Sequence, residues 1–303
     1  MVRAPGRLLL IVALFTLVSD SRPKGAVTER GQVRQPRNIY ELVYSFQHTF
    51  AKLLTGEELK QYHTMGPKQI RKENPALYDR ISQDVKGWTD EWLESVRSSG
   101  DQITPKRLSA ALGTADQVNA TLRRYFDSKK WPYRPMHVEF LPPRVFLDER
   151  HRGDMTSGVF IPFYPDAFFA TVDWPAPLEL VLVHESLHFN ATEEPFGARL
   201  AEGITEEGAR HIVRKYDLVS AMALLTKDIY PQERKGVEFL LDRMKERANL
   251  EHDLALETLL EAYVTGRQDA MTKIFGAETW QRVLKLSDRE EDWQTHKIEK
   301  ALQ

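Results

Sequence analysis

The chain has 303 residues, of which 42% are hydrophobic and 28% charged, a globular composition that excludes a disordered chain. Its 42 basic residues stand against 44 acidic ones for a net charge of −2, so no bulk field recruits nucleic acid or an anionic membrane. Cysteine is absent, which excludes disulfides, thiolate metal ligands and a cysteine nucleophile.

Arg3 and Arg7 precede an apolar run from Leu8 to Val18, and Ser19, Asp20 and Ser21 follow it. That order predicts a secretory signal peptide over residues 1–21, because the apolar run falls well short of the roughly 20 residues that span a bilayer. The mature protein is expected to be exported, secreted or periplasmic, with no membrane span. Residues 22–37 are polar and rich in Arg, Pro and Gly, and read as a flexible lead-in.

Residues 38–131 read as a helical N-terminal region. Ile39, Leu42, Val43, Phe46, Phe50, Leu53 and Leu54 recur at helical spacing, closed by Gly56. A second helix is predicted over Leu77 to Val96, and a third over Pro105 to Tyr125 with an interruption near Gly113. The character changes after Trp131-Pro132. Met136 to Leu141, Gly158 to Phe163 and Ala167 to Val172 read as short strands, the last two forming an antiparallel hairpin. From Pro177 onward the chain is helical again. Helices, a small sheet and more helices predict an α+β fold, with residues 132–303 as one domain. The glycosylation-type triplets at Asn119 and Asn190 are read as incidental.

The segment VLVHESLHFN, Val181 to Asn190, lies in a predicted helix that is apolar nearly all round and therefore buried. On it His184 and His188 are i, i+4 neighbours on one face, about 6 Å apart. Two imidazoles so placed can point at one ion at about 2.0–2.1 Å, the usual zinc–nitrogen distance. Glu185 is rotated about 100° from His184 and can reach the open side of that ion without binding it. The third donor lies downstream. Pro195 and Gly197 offer a reversal, and Ala198 to Lys215 read as a helix that returns antiparallel, bringing Glu202 beside the histidines. Glu206 shares its face, so that one carboxylate can take the metal and the other the free N–H of an imidazole.

The H-E-x-x-H pattern at His184, Glu185 and His188 resembles the zincin metallopeptidases. With Glu202 in an Ala-Glu-Gly context it resembles the gluzincins, and among them the small peptidase-MA-like members, over residues 136 to 270. The metzincin alternative wants glycine and histidine where this chain has Ala191 and Glu194. The resemblance implies a zincin-like fold: a small, mainly antiparallel sheet packed on the helix that carries the histidines. It also makes the strand around Ala167 to Asp173 an edge that pairs with substrate. It implies one zinc ion held by His184, His188 and Glu202, with Glu206 behind a ligand. Glu185 would act as general base toward water activated by zinc, and Tyr263 as oxyanion stabiliser, with His252, His211, Tyr216 and Tyr230 as rivals. The loop Gly153 to Ser157 departs from the G-x-M-E-N anchor of the aminopeptidase branch, so the expected activity is endopeptidase action on peptide or protein substrates. The alternative is a non-catalytic binding or scaffold protein on the same fold.

Overall fold

The structure is a computed structural model. It describes residues 36–99, 102–146, 158–161, 163–164, 167–173, 176–192, 196–224, 230–288 and 292–303. The signal-like residues 1–21, most of the lead-in, the loop from Gly153 to Ser157 and Glu194 lie outside the described residues. The described chain is mostly helical with one small sheet, an α+β composition. No described helix is long and apolar enough to cross a membrane.

The chain forms two compact units, residues 1–110 with 137–173, and residues 111–136 with 174–303. They interleave along the sequence, where the sequence reading cuts once after Trp131.

The first unit holds α1 (Ile39–Leu53), α2 (Gly56–Thr64), α3 (Pro67–Glu73), α4 (Pro75–Ser98) and the start of α5 (Pro105–Lys129). Asn38 caps α1 by accepting the Glu41 N–H, and the stripe Ile39, Leu42, Val43, Phe46 and Phe50 is buried. Gly56 does not close this helix but opens the next. Thr55 and Glu58 form a reciprocal capping box there, which supplies the helix start that a glycine alone would not. Helix α5 also runs through Gly113 without a break, since one glycine costs only about 1 kcal/mol against the buried stripe Ala111, Ala115, Val118, Leu122 and Phe126.

The sheet of this unit contains β1 (His137–Phe140), β2 (Gly158–Phe160) and β3 (Ala167–Ala170) in the order β1-β3-β2. β2 pairs antiparallel with β3, as the short connection dictates, but β1 pairs parallel with it, His137 opposite Ala167. The expected mainly antiparallel sheet is thus a mixed one. A second expectation fails with it. β3 is the central strand, its two edges taken by β1 and β2, so Ala167 to Ala170 is no free edge for a substrate.

The second unit contains the rest of α5, α6 (Leu178–Asn190), α7 (Ala198–Lys215), α8 (Ala221–Leu224), α9 (Pro231–Ala248), α10 (His252–Thr265), α11 (Asp269–Phe275), α12 (Ala277–Leu286) and α13 (Thr295–Leu302). α7 returns antiparallel to α6 and is enclosed. A Cβ on Gly203 would stand 2.6 Å from the Glu233 carbonyl oxygen and 2.7 Å from Val237 of α9. One on Gly208 would stand 2.6 Å from Leu260 of α10. These glycines let three helices close on α7. The C-terminus of α6 is tied down by Asn190, which accepts from Arg134 N and donates to the Ser186 carbonyl. Asn119 likewise bonds Met136 and Tyr133, so both asparagines of the glycosylation-type triplets serve as internal braces.

Candidate metal centre

α6 is buried along Leu180 to Leu187, and its histidines face α7. α7 is polar in sequence yet buried from Glu202 to Val213, because its charged groups find partners inside. Glu202, Thr205 and Glu206 fall on one face at i, i+3 and i+4. That face meets the histidines.

Three donor atoms converge there. Nε2 of His184 and Nε2 of His188 are 3.1 Å apart, and Oε2 of Glu202 lies 3.3 Å from the first and 3.5 Å from the second. Two donors at about 2.0–2.1 Å from one ion and at the tetrahedral angle stand about 3.3–3.4 Å apart, so the cluster has the spacing of a coordination shell. Despite those neighbours, Glu202 Oε2 has no hydrogen-bond partner of acceptable geometry, and it is fully buried. Two imidazole nitrogens and a carboxylate oxygen are also the donor set that suits a divalent metal. This buried group can hold a metal ion.

The surroundings orient the ligands. Glu206 Oε2 lies 3.2 Å from Nδ1 of His184; a carboxylate only accepts, so Nδ1 carries the proton. Glu206 is itself held by Arg210, whose Nε donates to Oε1 at 2.7 Å while another guanidinium nitrogen donates to the Leu224 carbonyl. Nδ1 of His188 shares a 2.7 Å hydrogen bond with the Tyr263 hydroxyl. Both outer ring nitrogens are thereby occupied, and both Nε2 atoms point inward.

Glu185 is buried and its Oε2 has no partner among the described residues. Burial pushes its carboxyl up to about 8, with His184 opposing and Glu202 adding to the rise. Glu202 moves the other way: burial would raise it, but His188 and His184 together hold it well below the usual carboxylate range. On His184, burial favours the neutral ring, but the Glu202 and Glu206 carboxylates beside it outweigh that and push the imidazole up to about 10.

Tyr230 stacks on the His184 ring at 5.6 Å with planes 11° apart. Its backbone is left-handed, φ 58°, directly before Pro231, a conformation that both chirality and the following proline disfavour. Burial holds its phenol proton well beyond the ordinary tyrosine range.

The structure thus brings together His184, His188, Glu202 and Glu206, and buries Glu185, the neighbour of His184 in α6, where it senses the charges of His184 and Glu202. Tyr263 sits on the outer nitrogen of His188, away from the converging atoms. His211 lies 3.7 Å from Asp253 and 3.6 Å from Glu257, and His252 lies 3.3 Å from Glu238. Tyr216 packs edge-on against Tyr125. Thr205 and Arg210 are the members that the sequence reading passed over. Their signal was available, since Thr205 lies three residues after Glu202 and Arg210 four after Glu206, on the same face.

No protein-family model, no curated protein and no solved structure matches this chain. What the site shows is a buried two-histidine, one-carboxylate group that could hold a metal ion, next in sequence to Glu185, one of whose carboxylate oxygens is buried without a partner among the described residues.

Proposed function

We propose that the second unit is a zinc-dependent peptide hydrolase with a zincin-like arrangement, acting as an endopeptidase on peptide or protein substrates. One observation carries the reading: Glu185 keeps a buried, unpartnered carboxylate oxygen beside a cluster of inward-facing metal donors. A purely structural metal site has no use for such a group, which is costly to bury unpaired.

His184 and His188 through Nε2 and Glu202 through Oε2 would hold the ion. Zinc, when bound, supplies a Lewis acid that makes water acidic near neutral pH and polarises a carbonyl. Glu206 and Tyr263 keep the outer nitrogens engaged, so the inner lone pairs stay aimed at the ion. Glu185 accepts a proton from water and delivers it to the departing amine, serving as base and then as acid. Tyr230, whose ring lies on His184, is our choice for the oxyanion donor. The signal-like residues 1–21 make peptides met outside the cytoplasm the expected substrates.

The test compares wild type with Glu185→Gln for zinc content and for cleavage of a mixed peptide library. Zinc should be retained at one per chain in both, and cleavage should fall about 10²–10⁴-fold in the variant. Equal cleavage by the two proteins removes Glu185 as the base. Stoichiometric zinc without cleavage by either leaves a binding protein in place of an enzyme.

A further inference from the structure

We infer that the Thr205 hydroxyl is a fourth, weak protein donor to the metal, which water or substrate displaces or joins beside the two histidines and the glutamate. The inference deepens the metal reading above and rests on it.

Thr205 is fully buried on α7, one turn beyond Glu202 on the same face. Its Oγ1 lies 3.1 Å from Nε2 of His188 and 3.5 Å from Nε2 of His184. Taken with the His–His separation of 3.1 Å and the His–Glu separations of 3.3 and 3.5 Å, five edges of one four-cornered figure fall in a single narrow range. That range brackets the donor separation of about 3.3–3.4 Å expected around a tetrahedral ion.

The hydroxyl has one proton, and it has other acceptors. Oγ1 donates to the carbonyl of Ala201 at 2.9 Å and of Glu202 at 3.0 Å, the back-bonding that threonine makes inside a helix. With the proton turned to the backbone, the lone pairs of Oγ1 face the two Nε2 atoms. Both Nε2 atoms are turned to the same point, so that a bound cation would meet two ring nitrogens, a carboxylate oxygen and this hydroxyl together.

A neutral hydroxyl is a weaker donor than an imidazole or a carboxylate. The fourth position would be guarded rather than sealed, so that substrate must displace or share a protein oxygen. This supplies a built-in restraint on idle turnover.

The chain has no cysteine, so one introduced thiol is an unambiguous reporter. Thr205→Cys loaded with Co²⁺ should show a thiolate-to-cobalt charge-transfer band in the near ultraviolet and a thiol shielded from modifying reagents until the metal is chelated. In parallel, Thr205→Val should weaken Zn²⁺ binding about tenfold or more in chelator competition, the scale on which supporting groups act, and Thr205→Ser should restore it. The valine variant should also change the visible spectrum of the Co²⁺ protein, and the serine variant should not. Stoichiometric Co²⁺ in Thr205→Cys without the band overturns the inference. So do a valine variant with wild-type affinity and an unchanged spectrum. Wild-type protein that takes up neither metal overturns the underlying metal reading instead, which keeps the two failures distinct.

Discussion

The first unit buries Phe46, Phe50, Tyr62, Trp92, Phe146 and Phe169, and among its described residues the buried polar ones are Asn38, Thr89 and Thr171, none of which ionises in the working range. The second unit buries His184, Glu185, Glu202, Glu206, Glu207, Arg210, His211 and Glu233. Apolar burial is stabilising wherever it occurs, at roughly 25 cal/mol per Å². Buried charge is stabilising only when every partner is present, and even then an apolar core of equal volume serves as well or better. The ionisable groups of the second unit are therefore best understood through what they do. His184, Glu202 and Glu206 meet between α6 and α7, whereas Glu207 and Glu233 find arginine partners where α7 meets α9 and His211 lies against α10.

The strongest way to break this contrast is to take metal away. A ligand present at about 1,000 times its dissociation constant adds about 4.1 kcal/mol to the folded state. Chelation of metal-loaded protein should thus lower hydrogen-exchange protection in α6 and α7 by about a thousandfold and leave α1 and α4 unchanged. Equal loss in both units, or none in either, would dissolve the distinction.

A second experiment pairs one residue from each unit. Phe50→Ala should cost about 3–5 kcal/mol by opening a cavity in the aromatic core. Arg210→Met should cost a similar amount, about 3–5 kcal/mol, by stranding the Glu206 carboxylate. Denaturant titration will not separate them. Metal competition should, because only the arginine change disturbs the carboxylate that orients His184. Unchanged zinc affinity in Arg210→Met would show that this chain of contacts is structural.

The smallest effects come from glycine. Gly203→Ala should destabilise by about 1–3 kcal/mol, since the added carbon meets the backbone of α9. Gly87→Ala, in the middle of α4 with open space around it, should stabilise by about 0.5–1 kcal/mol. Thermal unfolding of the two variants tests the sign.

The sequence was most readable where the chemistry is local. His184 and His188 declare themselves through helical spacing, and Glu202 and Glu206 require only one reversal at Gly197. Helix α2 was missed because Gly56 was taken as a stop, although Thr55 and Glu58 spell a capping box. Thr205 and Arg210 were equally local and were overlooked. Strand order is a different matter. Whether β1 joins β3 in parallel depends on partners about thirty residues apart in sequence, and no periodicity within four residues encodes that choice. Tyr263 was picked out, yet which nitrogen of His188 it meets depends on how α10 packs against α6.

Tyr230 carries a last consequence. A left-handed tyrosine before proline is locally frustrated: its own backbone preference, about 1–2 kcal/mol, argues against the position it occupies. Local preference cannot put the ring on His184, so contacts from α6 and α7 must overrule it. The aromatic wall of the site is then expected to settle late in folding and to yield early under stress. Loss of Tyr230 stacking, followed by its fluorescence in a variant lacking competing reporters, would then precede unfolding of the helices around it.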